Sequence, residues 1–296
     1  MAALPQKINL FMESAKLRFV KQKRNINKKL SELCVQKKMK IKFLLPVVAL
    51  TIIIAASFQK IQNKPVLYII GDSTVQNGSG KGADSLWGWG SFMDMFLNTD
   101  KIEIQNHAKG GRSSRTFVTE GRWDSIMKII KKGDYVLMQF GHNDGGELAD
   151  TLRARGTIKG IGDESKDIYN PIRKVNETVY TFGHYMRKYA NEAKSKGAIP
   201  IIVSPIPRNK FNEKGKIEKD QYGVWAQEVA QQTGAYFLDL NAMVIEKYEK
   251  MGAEKVKVYF PKDHTHTNEA GAVANAELVT KGIKQLKGCD LKKYIK

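Results

Sequence analysis

The 296 residues suffice for one large α/β domain or two small ones, and a hydrophobic content of 42% is too high for a disordered chain. A net charge of +19 points first to nucleic acid, but residues 1–42 hold 12 Lys/Arg against 2 Glu, a net +10, which leaves +9 for the other 254 residues. That distribution removes nucleic acid as the expected partner and leaves a domain suited to an acidic substrate through long-range attraction. Of two cysteines, Cys34 falls in the leader, so Cys289 alone remains, excluding an internal disulfide and any Cys-rich metal site in the domain.

The chain opens with a basic leader over residues 1–38. Two readings stand for it: translation beginning at Met39, so that 1–38 is never made, or a basic cytoplasmic arm. Residues 39–58 carry Lys40 and Lys42, the 16-residue apolar run Phe43 to Phe58, and the small residues Ala55-Ala56-Ser57. A basic start, an apolar centre and a small-residue exit make a secretory signal. The run is short against the roughly 20 residues of a membrane span. A secreted or periplasmic protein is therefore expected, with anchoring of an uncleaved segment 43–58 in a membrane as the alternative.

Residues 59–296 are expected to form one domain. Five apolar, β-rich runs follow each other at Val66–Ile70, Ile102–Asn106, Tyr135–Phe140, Ile199–Val203 and Ala235–Leu238. Helical periodicity lies between and beyond them, at Gly90–Leu97, Arg122–Lys131, Val175–Lys196 and Tyr222–Thr233, with Asn268–Leu286 as a final helix capped by Asn268. Alternation of this kind predicts parallel strands joined by crossover helices. Gly145–Pro171, rich in Gly and charge, reads as a long functional or mobile loop.

The polar residues with chemical potential follow the strand runs. Ser73, in Gly71-Asp72-Ser73-Thr74, directly follows the first run, and Asn143, in Gly141-His142-Asn143-Asp144, follows the third. Open α/β sheets present their chemistry at such strand ends. A serine nucleophile needs a base, and of five histidines His266 sits three residues after Asp263, a spacing that lets the carboxylate reach its Nδ1–H. His264, next to Asp263, cannot easily face it. Asn143 offers a side-chain amide and Gly111 a backbone N–H free of a Cβ, both suited to a developing oxyanion. Asp-His-x-His contains metal-ligand types, but nothing else in the chain completes a site, and neither metal nor cofactor is expected. Trp87, Trp89 and Trp123 read equally as a sugar-stacking surface or as core. Arg112, Arg115 and Arg208 lie on predicted loops, where a guanidinium is either a carboxylate ligand or a solvated surface charge. A Gly-x-Ser-x-Gly elbow is absent, which argues against an α/β-hydrolase.

These blocks together resemble the SGNH (GDSL-like) hydrolases. Gly-Asp-Ser-Thr, Gly110-Gly-Arg-Ser-Ser-Arg-Thr-Phe, Arg153-Ala-Arg-Gly-Thr, Thr181-Phe-Gly-His-Tyr-Met-Arg, Ser204-Pro-Ile-Pro-Arg-Asn and Asp263-His-Thr-His-Thr are similar to one branch, the rhamnogalacturonan acetylesterase family. The likeness runs over about residues 66–286. It implies a flavodoxin-like three-layer α/β/α sandwich around a parallel sheet, and removal of acetyl groups from pectic polysaccharide. It implies Ser73 as nucleophile, His266 as base and Asp263 as its orienter, with the N–H groups of Ser73 and Gly111 and the Asn143 amide as oxyanion donors. The expected protein is a monomer acting on an acetylated acidic polysaccharide, with Arg112, Arg115, Arg208 and Trp87 as candidate substrate contacts. An acetylesterase for another polysaccharide such as xylan, a lipid or thioester hydrolase and a non-catalytic polysaccharide-binding protein remain alternatives, because fold alone does not select a substrate.

Overall fold

In the computed structural model the described residues are 21–25, 28–32 and 64–296, and the chain divides into two units, 1–63 and 64–296. Within the first unit, 21–25 and 28–32 are helical. The rest of the basic leader and the whole signal or anchor segment, 39–58, lie outside the described residues.

The second unit is built on five parallel strands: β1 (Val66–Gly71), β2 (Glu103–Asn106), β3 (Tyr135–Gln139), β6 (Ile199–Val203) and β7 (Tyr236–Leu238), in the order β2-β1-β3-β6-β7. The apolar runs become strands because both faces of the sheet are covered. On β1, Leu67 and Ile69 enter one core while Tyr68 and Ile70 enter the other, and all four are buried. Continuous apolar sequence is what a doubly covered parallel strand requires.

The first face packs against α1 (Met93–Phe96), α6 (Leu240–Met251), α7 (Ala253–Lys257) and α8 (Glu269–Gln285), through residues such as Met93, Val244, Val256 and Val279. The second packs against α2 (Ser114–Thr119), α3 (Arg122–Met127), α4 (Phe182–Ser195) and α5 (Gln221–Thr233), through Phe117, Ile126, Met186 and Val229. The result is a three-layer α/β/α sandwich. Cys289 is buried on the first face with a free thiol. Short polar side chains start the helices: Thr181, Asp220, Asp239 and Asn268 each accept a backbone N–H from the first turn, Asn268 from Gly271 at 3.0 Å.

The sequence pattern misplaces one boundary. Val175–Lys196 was expected as one helix, yet β5 (Val175–Tyr180) pairs antiparallel with β4 (Ser165–Asn170), and α4 begins only after Thr181. Apolar residues at 175 and 179 fit a helical stripe by spacing alone, and pairing with a strand ten residues earlier overrides it. Part of the Gly145–Pro171 stretch is thus strand. The Gly90–Leu97 helix is a 3₁₀ turn, Trp89–Phe92, running into the four-residue α1.

Candidate active site

The sheet order reverses at β1, whose neighbours are β2 on one side and β3 on the other. Ligands of open α/β sheets bind at such a reversal, beyond the carboxyl ends of the strands. Ser73 emerges there two residues after β1, and Asn143 four residues after β3. Both line a cavity of about 740 Å³ together with Gly111 and His266. Gly111 has φ +78°, a left-handed conformation that costs a residue with a Cβ about 1–2 kcal/mol.

Ser73 Oγ lies 2.8 Å from His266 Nε2, and His266 Nδ1 lies 2.6 Å from Asp263 Oδ2. With a carboxylate facing Nδ1, that nitrogen carries the proton and Nε2 accepts from the Ser73 hydroxyl. Asp263 Oδ1 also accepts the backbone N–H groups of Thr265 and His266, each at 2.7 Å. Burial pushes the Asp263 pKa upward, but the hydrogen bonds from the His266 ring and backbone and from Thr265 outweigh it and bring the carboxyl down to about 2. Thr267 then ties this segment to the β1 side, since the Trp87 N–H donates to its carbonyl at 2.8 Å.

Asn143 is buried and donates from Nδ2 to the Arg112 carbonyl at 2.9 Å, which leaves its second amide hydrogen free for another acceptor. Among the described residues, the backbone N–H groups of Ser73 and Gly111 have no protein acceptor. Two backbone N–H groups without a protein acceptor and one spare amide hydrogen thus belong to residues that line the same cavity.

Beneath Ser73 is a polar network that the sequence did not lay out. Asp72 Oδ1 accepts from the N–H and Oγ–H of Thr74 at 2.8 and 2.7 Å, and Asp72 Oδ2 faces His142 Nδ1 at 3.2 Å. His142 Nε2 donates to the Ile206 carbonyl at 2.9 Å. Both ring nitrogens face acceptors, an arrangement that favours the imidazolium. Burial alone would lower its pKa; the Asp72 charge and hydrogen bond raise it, and the same contacts hold Asp72 below the usual carboxylate range against its own burial. Asp144 Oδ1 accepts from Ser114 N–H at 3.0 Å and Oγ–H at 2.5 Å, while Oδ2 has no partner among the described residues. Burial, larger than the opposing Ser114 bonds, pushes Asp144 up to about 7. The only sequence signal for these roles was the position of Asp72, His142 and Asp144 beside Ser73 and Asn143.

Two of the four candidate substrate contacts lie elsewhere. Arg115 is not on a loop: it belongs to α2, is 0% exposed, and pairs with Glu177. Its Nη1 donates to the carbonyls of Leu148 and Gly156, both at 2.8 Å. Gly156 is needed there because a Cβ would meet the Gly146 carbonyl oxygen at 1.9 Å. Trp87 packs against Phe92 at a ring separation of 5.0 Å and lines a different hollow with Tyr259 and Val273. Trp89 and Trp123 are core residues, with indole N–H groups donated to Gln139 and Glu192. Arg112 and Arg208 do line the cavity. Arg112 is held by Glu120 at 3.0 Å, and Arg208 lies 3.9 Å from Asp220. Lys109, Arg153 and Arg155 line the cavity as well.

The description "GDSL-like Lipase/Acylhydrolase" fits residues 67–279 as a family match. The chain is 36% identical over 220 residues to a rhamnogalacturonan acetylesterase of Emericella nidulans, covering 73% of this chain and 84% of that protein. It is 32% identical over 249 residues to the rhamnogalacturonan acetylesterase RhgT of Bacillus subtilis, covering 78% and 95%. Among solved structures, protein YxiM of Bacillus subtilis superposes with a TM-score of 0.60 at 26% identity, covering 75% of this chain and 56% of that longer one. With the family match spanning most of its length, the chain belongs to the GDSL-like lipase/acylhydrolase family.

Proposed function

We propose that this protein is a serine esterase that removes acetyl groups from a pectic polysaccharide, rhamnogalacturonan foremost. The observation that carries the reading is the continuous Ser73–His266–Asp263 contact, at 2.8 and 2.6 Å, opening into a cavity lined by cations. The substrate class is supported by relatives at 32–36% identity that are named rhamnogalacturonan acetylesterases.

The chemistry follows from the geometry. Ser73 Oγ attacks the acetyl carbonyl while His266 Nε2 takes its proton, and Asp263 steadies the imidazolium through Nδ1–H. Negative charge gathers on the former carbonyl oxygen, within reach of the Ser73 N–H, the Gly111 N–H and the Asn143 amide. One such donor is worth about 2.7–4 kcal/mol in the transition state. Collapse of the tetrahedral species breaks the bond to the sugar oxygen, which receives the proton from His266. An acetyl-Ser73 ester remains. His266 then deprotonates a water, whose attack releases acetate and restores the hydroxyl.

A secretory signal over residues 39–58 would carry such an enzyme to polymers outside the cytoplasm, with an uncleaved anchor as the alternative. N-terminal sequencing of the native protein decides between them: a start near Phe58 supports export and cleavage, and intact residues 43–58 in a membrane fraction would establish the anchor. For the activity, acetate release is measured from acetylated rhamnogalacturonan, acetylxylan and p-nitrophenyl acyl esters. Preference for the pectic polymer and for acetyl over longer acyl groups is expected. Preference for acetylxylan or for long acyl chains would overturn the substrate assignment.

A further inference from the structure

Residues 64–296 contain eight arginines. Six of them, Arg112, Arg115, Arg122, Arg173, Arg187 and Arg208, lie within 4.0 Å of an Asp or Glu oxygen. Among the described residues, Arg153 and Arg155 have no such partner, and both line the cavity that holds Ser73 and His266. The single carboxylate in that lining, Glu120, is already taken by Arg112 and Arg122 at 3.0 and 2.7 Å. Neither guanidinium is therefore paired with a carboxylate within 4.0 Å, and Asp150, Asp144 and Asp72 act on Arg155 only from farther away. Arg155 is half-buried, and its burial, followed by the charge of Arg153, makes its protonated form harder to hold.

The loop that carries them is rigidly tied. Asp150 Oδ1 accepts the N–H groups of Leu152 and Arg153 at 2.7 and 3.1 Å, and Oδ2 that of Ala154 at 3.0 Å. Ala154, between the two arginines, is buried with φ +42°. Arg115 holds the loop at both ends through Leu148 and Gly156. Arg155 Nη1 donates to the Gly111 carbonyl at 3.1 Å, which sets this guanidinium beside the oxyanion donors and leaves its other N–H groups unspent. A fixed backbone presenting two planar forks that pair with no carboxylate is a preorganised carboxylate receptor.

We infer that Arg153 and Arg155 form a subsite that binds the carboxylate of a hexuronate unit of the acetylated polymer, and that this contact selects acidic polymers over neutral ones. The inference rests on the polysaccharide acetylesterase reading above. Arg153 is the cleaner probe, because it is exposed, whereas Arg155 also supports the Gly111 loop.

The test compares wild type, Arg153→Gln and Arg153→Lys on three substrates: acetylated rhamnogalacturonan, the same polymer with its carboxylates methyl-esterified, and p-nitrophenyl acetate. For Arg153→Gln, the ratio of kcat/KM on the acidic polymer to that on p-nitrophenyl acetate falls at least tenfold, chiefly through KM. Wild type loses a similar factor on methyl esterification, and Arg153→Gln no longer distinguishes the two polymers. Arg153→Lys, which keeps the charge without the fork, retains part of the discrimination. If Arg153→Gln discriminates between the polymers as wild type does, the subsite is overturned while the esterase reading stands. If wild type hydrolyses p-nitrophenyl acetate but releases no acetate from either polymer, the pectic substrate is overturned, and this subsite with it.

Discussion

Arg115 Nε lies 2.7 Å from Glu177 Oε1, and this enclosed ion pair joins α2 to β5, with side-chain exposures of 0% and 7%. Glu177 also accepts from Asn170 Nδ2 at 2.7 Å, so its charge is held below the usual carboxylate range despite burial. Arg115→Ala strips the carboxylate of its main partner and frees both ends of the 148–156 loop. Removing one member of a buried pair costs about 3–5 kcal/mol. Urea denaturation of Arg115→Ala is expected to show a loss of that order, and replacing both members with apolar residues recovers much of it. A change below about 0.5 kcal/mol, as for a surface arginine, contradicts the enclosed pair.

Ser73→Ala and His266→Ala each lower acetyl ester turnover by several orders of magnitude, and the double variant is little worse, because the two side chains act as one unit. His264→Ala keeps most of the activity: its ring is exposed, and only its carbonyl is engaged, by the Asn209 N–H at 2.7 Å. Steady-state kinetics on p-nitrophenyl acetate checks all four variants. A dead His264→Ala with an active His266→Ala would reverse the assignment of the base.

Asp144 gives stability a pH dependence of known sign. Its folded pKa is raised to about 7, so between the ordinary carboxylate value and 7 the folded state holds a proton that the unfolded state has released. Stability associated with this group is fully present at low pH and is lost as pH rises through about 7, by on the order of a few kcal/mol. Asp144→Asn keeps the shape and removes the titration. Comparing urea midpoints at pH 5 and pH 8 should show a larger fall for wild type than for the variant, which keeps only what His142 contributes; equal falls would refute the buried proton.

The Asp72–His142 pair adds its own dependence. His142 is raised, so its stabilisation is present below the ordinary histidine pKa and is lost as pH rises through the raised value. Asp72 is lowered, so its contribution disappears only as pH falls through its depressed value. Arg208 opposes the His142 charge and Asp220 supports it. His142→Ala leaves Asp72 charged and buried, and a loss of about 3–5 kcal/mol is expected by thermal or urea unfolding. Activity falls too, since Asp72 shapes the turn that bears Ser73.

Salt separates the charged cavity from the reacting groups. With five cationic side chains around one carboxylate, kcat/KM on an acidic acetylated polymer falls as salt rises, because attraction beyond about 8 Å is screened at physiological ionic strength. A small neutral acetyl ester changes little under the same titration. Parallel curves for the two substrates would count against the acidic substrate.

The sequence by itself determined the parallel strands and put Ser73, Asp263 and His266 forward as one group. Val66–Ile70 and Tyr135–Met138 are unbroken apolar runs because both faces are covered, and that signature is local. Asp263 and His266 are also readable, since their contact spans three residues. Only the tertiary structure revealed β4 and β5, whose mostly exposed, polar residues carry no apolar run. It also decided among the arginines. Arg115, Arg153 and Arg155 are alike in sequence, but Arg115 finds Glu177 sixty-two residues away and becomes an enclosed brace, while Arg153 and Arg155 form no ion pair among the described residues and face the cavity. A strand is encoded by its neighbours along the chain; the role of a long charged side chain is set by what folding packs against it.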